Sequence, residues 1–91
     1  MEETITEHTY IALKPKTNEP IIKGTRVAVR AVAELWLMGA QPEEIILNIP
    51  HITLAQVFDA LSYYEDHKEK VDFFIKSNSI PEELRGTSLS R

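Results

Sequence analysis

The 91-residue chain contains no cysteine. Disulfides, a thiolate nucleophile and zinc–thiolate sites are therefore excluded, and a reducing compartment is the expectation. Three glycines, at 24, 39 and 86, are too few and too scattered to build a phosphate-cradling loop. No apolar run approaches the roughly 18 residues needed to span a bilayer. The opening Met1-Glu2-Glu3-Thr4 also lacks the basic flank and apolar stretch of a secretory leader. These absences lead us to expect a cytoplasmic protein without membrane contact. Cations are missing from 31 to 66, where Glu34, Glu43, Glu44, Asp59, Glu65 and Asp66 stand without a single Lys or Arg.

What is present is a globular composition, 43% hydrophobic and 26% charged, which rules out a wholly disordered or collagenous chain. This length allows one domain, burying roughly 64% of the chain's surface on folding. A net charge of −4 argues mildly against nucleic acid as the main partner, because phosphate neutralisation dominates that affinity. The one basic segment is 14–30, with Lys14, Lys16, Lys23, Arg26 and Arg30 against Glu19 alone. Any anion site belongs there.

Tyr10 to Leu13 reads as a short strand. The following 14–20, with Pro15, Asn18 and Pro20, reads as a loop, and Pro20-Ile21-Ile22 as the return limb of a β-hairpin closed at Gly24. From Val29 the period becomes helical: Val29, Val32, Ala33, Trp36 and Leu37 share a face, and Gly39 ends the helix. Pro42-Glu43-Glu44 opens a second, short helix whose core face is Ile45, Ile46, Leu47 and Ile49. Thr53 with Gln56 forms a capping box for a third helix, whose predicted core stripe is Leu54, Val57, Phe58, Leu61 and Tyr64. Apolar residues resume at Val71, Phe74 and Ile75, so this helix either continues or is followed by another. We therefore expect a flexible 1–9, a hairpin plus helix-turn-helix domain over 10–77, and a flexible tail over 78–91.

The last two helices of such a unit can place residues near DNA bases, and Thr53 and Gln56 are the candidates. The competing reading is that these two only cap the helix. Lys23, Arg26 and Arg30 are the candidate phosphate contacts; against that, the cluster could be a solvated hairpin, or Arg26 could pair with a carboxylate of its own fold. Leu35, Met38, Tyr63 and Phe73 fall off the core stripes and are candidates for a dimer or partner contact. His8, His51 and His67 lack a ligand-like spacing, so no metal site and no cofactor is expected. The adjacent pairs Glu43-Glu44 and Glu82-Glu83 diverge on a helix and make no acid–base dyad. An enzyme is not expected.

Pro20 to Val29, then Gly39 followed by Pro42-Glu43-Glu44-Ile45, then Ile49 to Val57 and Ala60 to Tyr64, resemble the pattern of the domain of unknown function 433 family. The resemblance implies a mostly α fold: a three-helix homeodomain-like or winged-helix-like bundle with a short N-terminal β-hairpin and a C-terminal helical extension. It further implies a bacterial or archaeal source and a DNA-binding antitoxin-like regulator of a type II toxin–antitoxin pair. Such a regulator would bind operator DNA and a PIN-domain toxin as a homodimer, with residues 68–91 suited to folding on the toxin. The alternative is an interaction or structural dimer module that uses the same fold without touching DNA.

Overall fold

The computed structural model describes residues 4–78. Seven elements follow one another: strands β1 (Thr4–Ile5), β2 (Ile11–Leu13) and β3 (Pro20–Ile22), then helices α1 (Val29–Leu37), α2 (Pro42–Asn48), α3 (Leu54–Asp66) and α4 (Lys68–Ser77). The strands form an antiparallel sheet in chain order, with Ile11 opposite Ile22 and Leu13 opposite Pro20. The expected hairpin is present, and β1 adds a strand from a stretch where none was predicted. Asn18 turns the β2–β3 loop at φ 63, a left-handed conformation that Asn tolerates. Gly24, at φ 78, makes the next turn, in which the Thr25 N–H donates to the Ile22 carbonyl. The chain then folds back against β3, where Ala28 bridges Ile21. That return covers the outer edge of β3, all three of whose residues are buried.

The core joins Ile11 and Ile22 of the sheet to Val29, Val32 and Ala33 of α1, Ile45 of α2, Val57, Ala60 and Tyr64 of α3, and Val71 of α4. Helices α1, α2 and α3 pack on one another, and α4 lies against α1 and α3. Residues 68–77, read above as part of a partner-folding tail, are thus a helix seated on the core; the rest of that tail, from 79, lies outside the described residues. No helix among the described residues is long and apolar enough to cross a membrane.

Several core assignments shift. Trp36 and Leu37 are 39% and 58% exposed, because α1 ends just beyond them. There the Gly39 N–H donates to Trp36 and the Ala40 N–H to Leu35, a Schellman closure with Gly39 at φ 99. It brings Leu35 and Ala40 together on the core. In α2, Ile45 is buried but Leu47 is 83% exposed. In α3, Phe58 is exposed, whereas Ala60 and Tyr63 are buried. The stripe is rotated because the segment before β2 covers the Tyr63 side.

The capping box of α3 is formed as expected. The Gln56 N–H donates to Thr53 Oγ1 at 3.1 Å and the Thr53 N–H to Gln56 Oε1 at 2.8 Å. At α2, Gln41 is a better cap than its side chain suggests, since its N–H reaches back to the Glu44 carboxylate at 2.7 Å. His51, at φ 76, sits in the connection between α2 and α3, a junction residue as its place beside Pro50 suggests.

Tyr64 ties α4 to α3 by donating its hydroxyl to Asp72 Oδ1 at 3.0 Å. Burial and then this bond push its pKa above the usual 10.0. A folded value above the unfolded one means that the proton's contribution to stability is complete below pH 10 and is lost as the pH rises through the folded value. Tyr64→Phe should cost about 0.5–1.5 kcal/mol at neutral pH, from the lost hydrogen bond. Urea midpoints for the variant should then fall less between pH 9 and pH 11 than those of the parent.

Candidate functional site

Two parts of the surface carry the residues singled out from the sequence, and a third part of the molecule holds a side-chain cluster of its own. The first is the basic hairpin. Lys23 and Arg26 are exposed beside Gly24, with Lys14 and Lys16 exposed on the β2–β3 loop. Arg30 is engaged elsewhere: its Nε donates to Glu19 Oε2 at 2.6 Å, with the carboxylate side chain only 10% exposed. That pair fastens the hairpin loop to the start of α1. Its sequence signal was Glu19, the one acid among the five cations. Thr53 and Gln56 are likewise committed to each other in the capping box.

The second part is an apolar face around the C-terminal end of α1. Trp36, Pro42, Phe58 and Leu61 line a groove rimmed by Glu43 and Glu65. A second groove, with Leu35, Leu37, Met38 and Ile49 in its lining, has Glu34 at its margin. Leu37, Met38, Leu47 and Phe58 are each more than half exposed. Among the predicted contact residues Met38, at 78% exposure, belongs to this face, and Leu35 is half-buried in its floor. Phe73 is exposed on α4, edge-on to Phe74. Tyr63 must be withdrawn as a partner contact: it is 2% exposed, stacked on the His67 ring at 4.3 Å and edge-on to His8 at 5.3 Å.

The third part escaped the sequence reading. His8, 8% exposed, is held between carboxylates, with Nδ1 3.2 Å from Asp59 Oδ1 and Nε2 2.9 Å from Asp66 Oδ2. Asp59 is itself fixed by the Tyr10 N–H, which donates to Oδ2 at 2.6 Å. His67 occupies the break between α3 and α4, at φ −136 and ψ 49, and its Nε2 lies 3.0 Å from Glu7 Oε2. The hydrogen bond from His67 holds the Glu7 carboxyl below its ordinary pKa. His8 and Asp66 are 58 positions apart, so spacing along the chain concealed the group. The visible signal was the doubled acid–histidine step, Glu7-His8 and Asp66-His67.

A family model described as a protein of unknown function (DUF433) matches residues 17–64, more than half of the chain. The chain belongs to this family. Neither the curated proteins nor the solved structures contain a match to it. The matched span takes in β3, α1, α2 and the first eleven residues of α3, and with them the whole apolar face except Glu65. Glu7, His8, Asp66 and His67 lie outside it.

Proposed function

We propose that the protein is a binding module that holds a basic protein partner on its apolar, acid-rimmed face, as the antitoxin-like member of a toxin–antitoxin pair. The observation that carries this reading is the exposed Leu37, Met38 and Phe58 lining grooves edged by Glu34, Glu43 and Glu65. Contiguous apolar surface rimmed by charge is the mark of an interaction site. The sign of the rim selects the partner. A ribonuclease binds a polyanion and so presents a basic surface, which an acidic face with apolar anchors complements. The PIN-domain ribonuclease implied by the family resemblance has that chemistry. The mutual packing of α1, α2 and α3 is compatible with a homeodomain-like arrangement.

The two grooves suit two tasks. An isologous dimer built on the Trp36–Phe58 groove would bring Glu43 and Glu65 towards their own copies, whereas the Leu37–Met38 groove carries one acid and is the better seat for a second copy of this chain. Operator binding is a second reading, favoured by the exposed Lys23 and Arg26 at one end of the hairpin and the exposed Lys14 and Lys16 in the loop at its other end. A dimer would double these four cations.

Mixing the full chain with a PIN-domain ribonuclease from the same genome, followed by sedimentation, tests the first reading. A stoichiometric complex is expected, and two species that sediment independently would overturn it. For the second reading, a titration with upstream DNA at two salt concentrations should show log affinity falling with log salt. Lys23→Ala with Arg26→Ala should flatten that slope by about 0.9 for each phosphate contact removed. Arg30→Ala should instead lower stability by loosening the hairpin. DNA affinity unchanged in the Lys23/Arg26 double variant would end the operator reading.

A further inference from the structure

The cluster around His8 has no part in that reading, yet it joins the most distant parts of the described chain. We propose that Glu7, His8 and His67 form a binding site for a divalent transition-metal ion of the Zn2+ type, with Asp66 as a fourth ligand. The ion would clasp the segment between β1 and β2 to the α3–α4 junction.

Four observations converge on it. The three side chains each offer one ligand atom, and these atoms all lie within 4.8 Å of one another. Glu7 Oε2 is 3.0 Å from His67 Nε2 and 3.8 Å from His8 Nε2, and Asp66 Oδ2 is 2.9 Å from the same His8 nitrogen. In a tetrahedral site with bonds near 2.0 Å, ligand atoms stand about 3.3 Å apart, so the atoms of Glu7, His8 and His67 need close by no more than about 1.5 Å on an ion, and Asp66, which touches only the His8 nitrogen, would move in to complete the shell.

The second observation is the orientation of His8. Asp59 accepts at Nδ1 while its own second oxygen is fixed by the Tyr10 N–H. Nδ1 is thereby engaged away from the cluster and Nε2 faces Asp66 and Glu7, so an ion bound at Nε2 would take the place of the proton shared with Asp66 Oδ2. A histidine ligand whose far nitrogen donates to a carboxylate is the usual outer-shell arrangement of protein zinc sites. Charge is the third. Glu7, Asp59 and Asp66 surround the imidazoles, and among the described residues no Lys or Arg forms an ion pair with any of them. Finally, both rings are placed in advance: Tyr63 stacks on His67 and meets His8 edge-on, and the helix breaks at His67. Two imidazoles with carboxylates select Zn2+, Ni2+ or Cu2+ over Mg2+ or Ca2+, which prefer all-oxygen shells.

The test is calorimetric titration of the metal-free, tag-free full chain with ZnCl2. One ion per chain should bind with a dissociation constant in the micromolar range or tighter. At a hundredfold excess over that constant the melting midpoint should rise by roughly 10 °C. His67→Ala should weaken binding at least a hundredfold, and Glu7→Gln, at an exposed side chain, at least tenfold. Circular dichroism should confirm that both remain folded, and His51→Ala should bind as the parent does. Absence of saturable binding up to 1 mM Zn2+ would overturn the proposal, as would equal affinity in the parent, His67→Ala and Glu7→Gln. The cluster would then be a hydrogen-bonded clasp only. This outcome is independent of whether the apolar face holds a partner.

Discussion

Replacing Phe58 with lysine is expected to weaken binding of the partner at least thirtyfold while leaving the melting midpoint within about 2 °C of the parent. The side chain is 54% exposed on α3 and lines the groove with Trp36, Pro42 and Leu61, so little packing is lost in the free protein. Two effects act in the complex. Removal of a central aromatic anchor typically costs 2 kcal/mol or more, which is about thirtyfold in affinity. The new cation also lies beside Glu43 and Glu65, neutralises the rim that attracts a basic partner, and repels that partner directly. Phe73→Lys is the comparison, because Phe73 is equally apolar and 61% exposed but lines neither groove. Isothermal titration of both variants against the ribonuclease measures the difference. Equal losses at 58 and 73, or none at either, would remove the groove from the binding surface.

How far the sequence disclosed this molecule depended on the range of the interaction concerned. The hairpin was legible because Pro15, Asn18, Pro20 and Gly24 restrict the backbone locally, and the α3 start because Thr53 and Gln56 complete each other three positions apart. Gly39 announced the end of α1 for the same reason. Which apolar residues face inward was less legible, because a period of 3.6 defines a face without saying how wide the covering layer is. In α3 the cover extends over Tyr63, since His8 and His67 sit on it, and it stops short of Phe58. In α1 the helix ends before Trp36 and Leu37 meet any cover.

The binding candidates divide along the same line. Arg30 was matched to anions by type, but its partner is Glu19, eleven positions earlier on the far side of β3 and the Gly24 turn. Thr53 and Gln56 satisfy one another in the α3 cap. The histidine cluster needed tertiary folding to exist at all, because Glu7 and His8 arrive from the sheet side while Asp59, Asp66 and His67 come from α3 and its end. A short strand such as β1, two exposed residues long, gives no alternation to detect, and it gains meaning only through the residues that follow it into the cluster.

The largest loss of stability should come from Ile45→Ala. Helix α2 has seven residues, too few to hold together by its own hydrogen bonds, since isolated helices under about 12 residues are marginal in water. It persists because Pro42 and, one turn on, Ile45 are buried against α1 and α3. Ile45 is 0% exposed. Truncating a fully buried Ile costs about 2–5 kcal/mol through lost transfer energy and the cavity left behind. For a domain of this size, whose total stability is of order 5–15 kcal/mol, that lowers the melting midpoint by roughly 10 °C or more. Leu47→Ala, two positions on and 83% exposed, should stay within about 0.5 kcal/mol. Chemical denaturation of the pair therefore reports which of the apolar residues of α2 anchors it. The loss also reaches the binding face, because Pro42 belongs to one groove and Asn48 to the other. Ile45→Ala should weaken partner binding and stability together, whereas Phe58→Lys weakens binding alone. That separation distinguishes a face that requires α2 as its scaffold from one in which α2 is incidental, and matching losses of affinity at 45 and 47 would favour direct contact by Leu47 over scaffolding by Ile45.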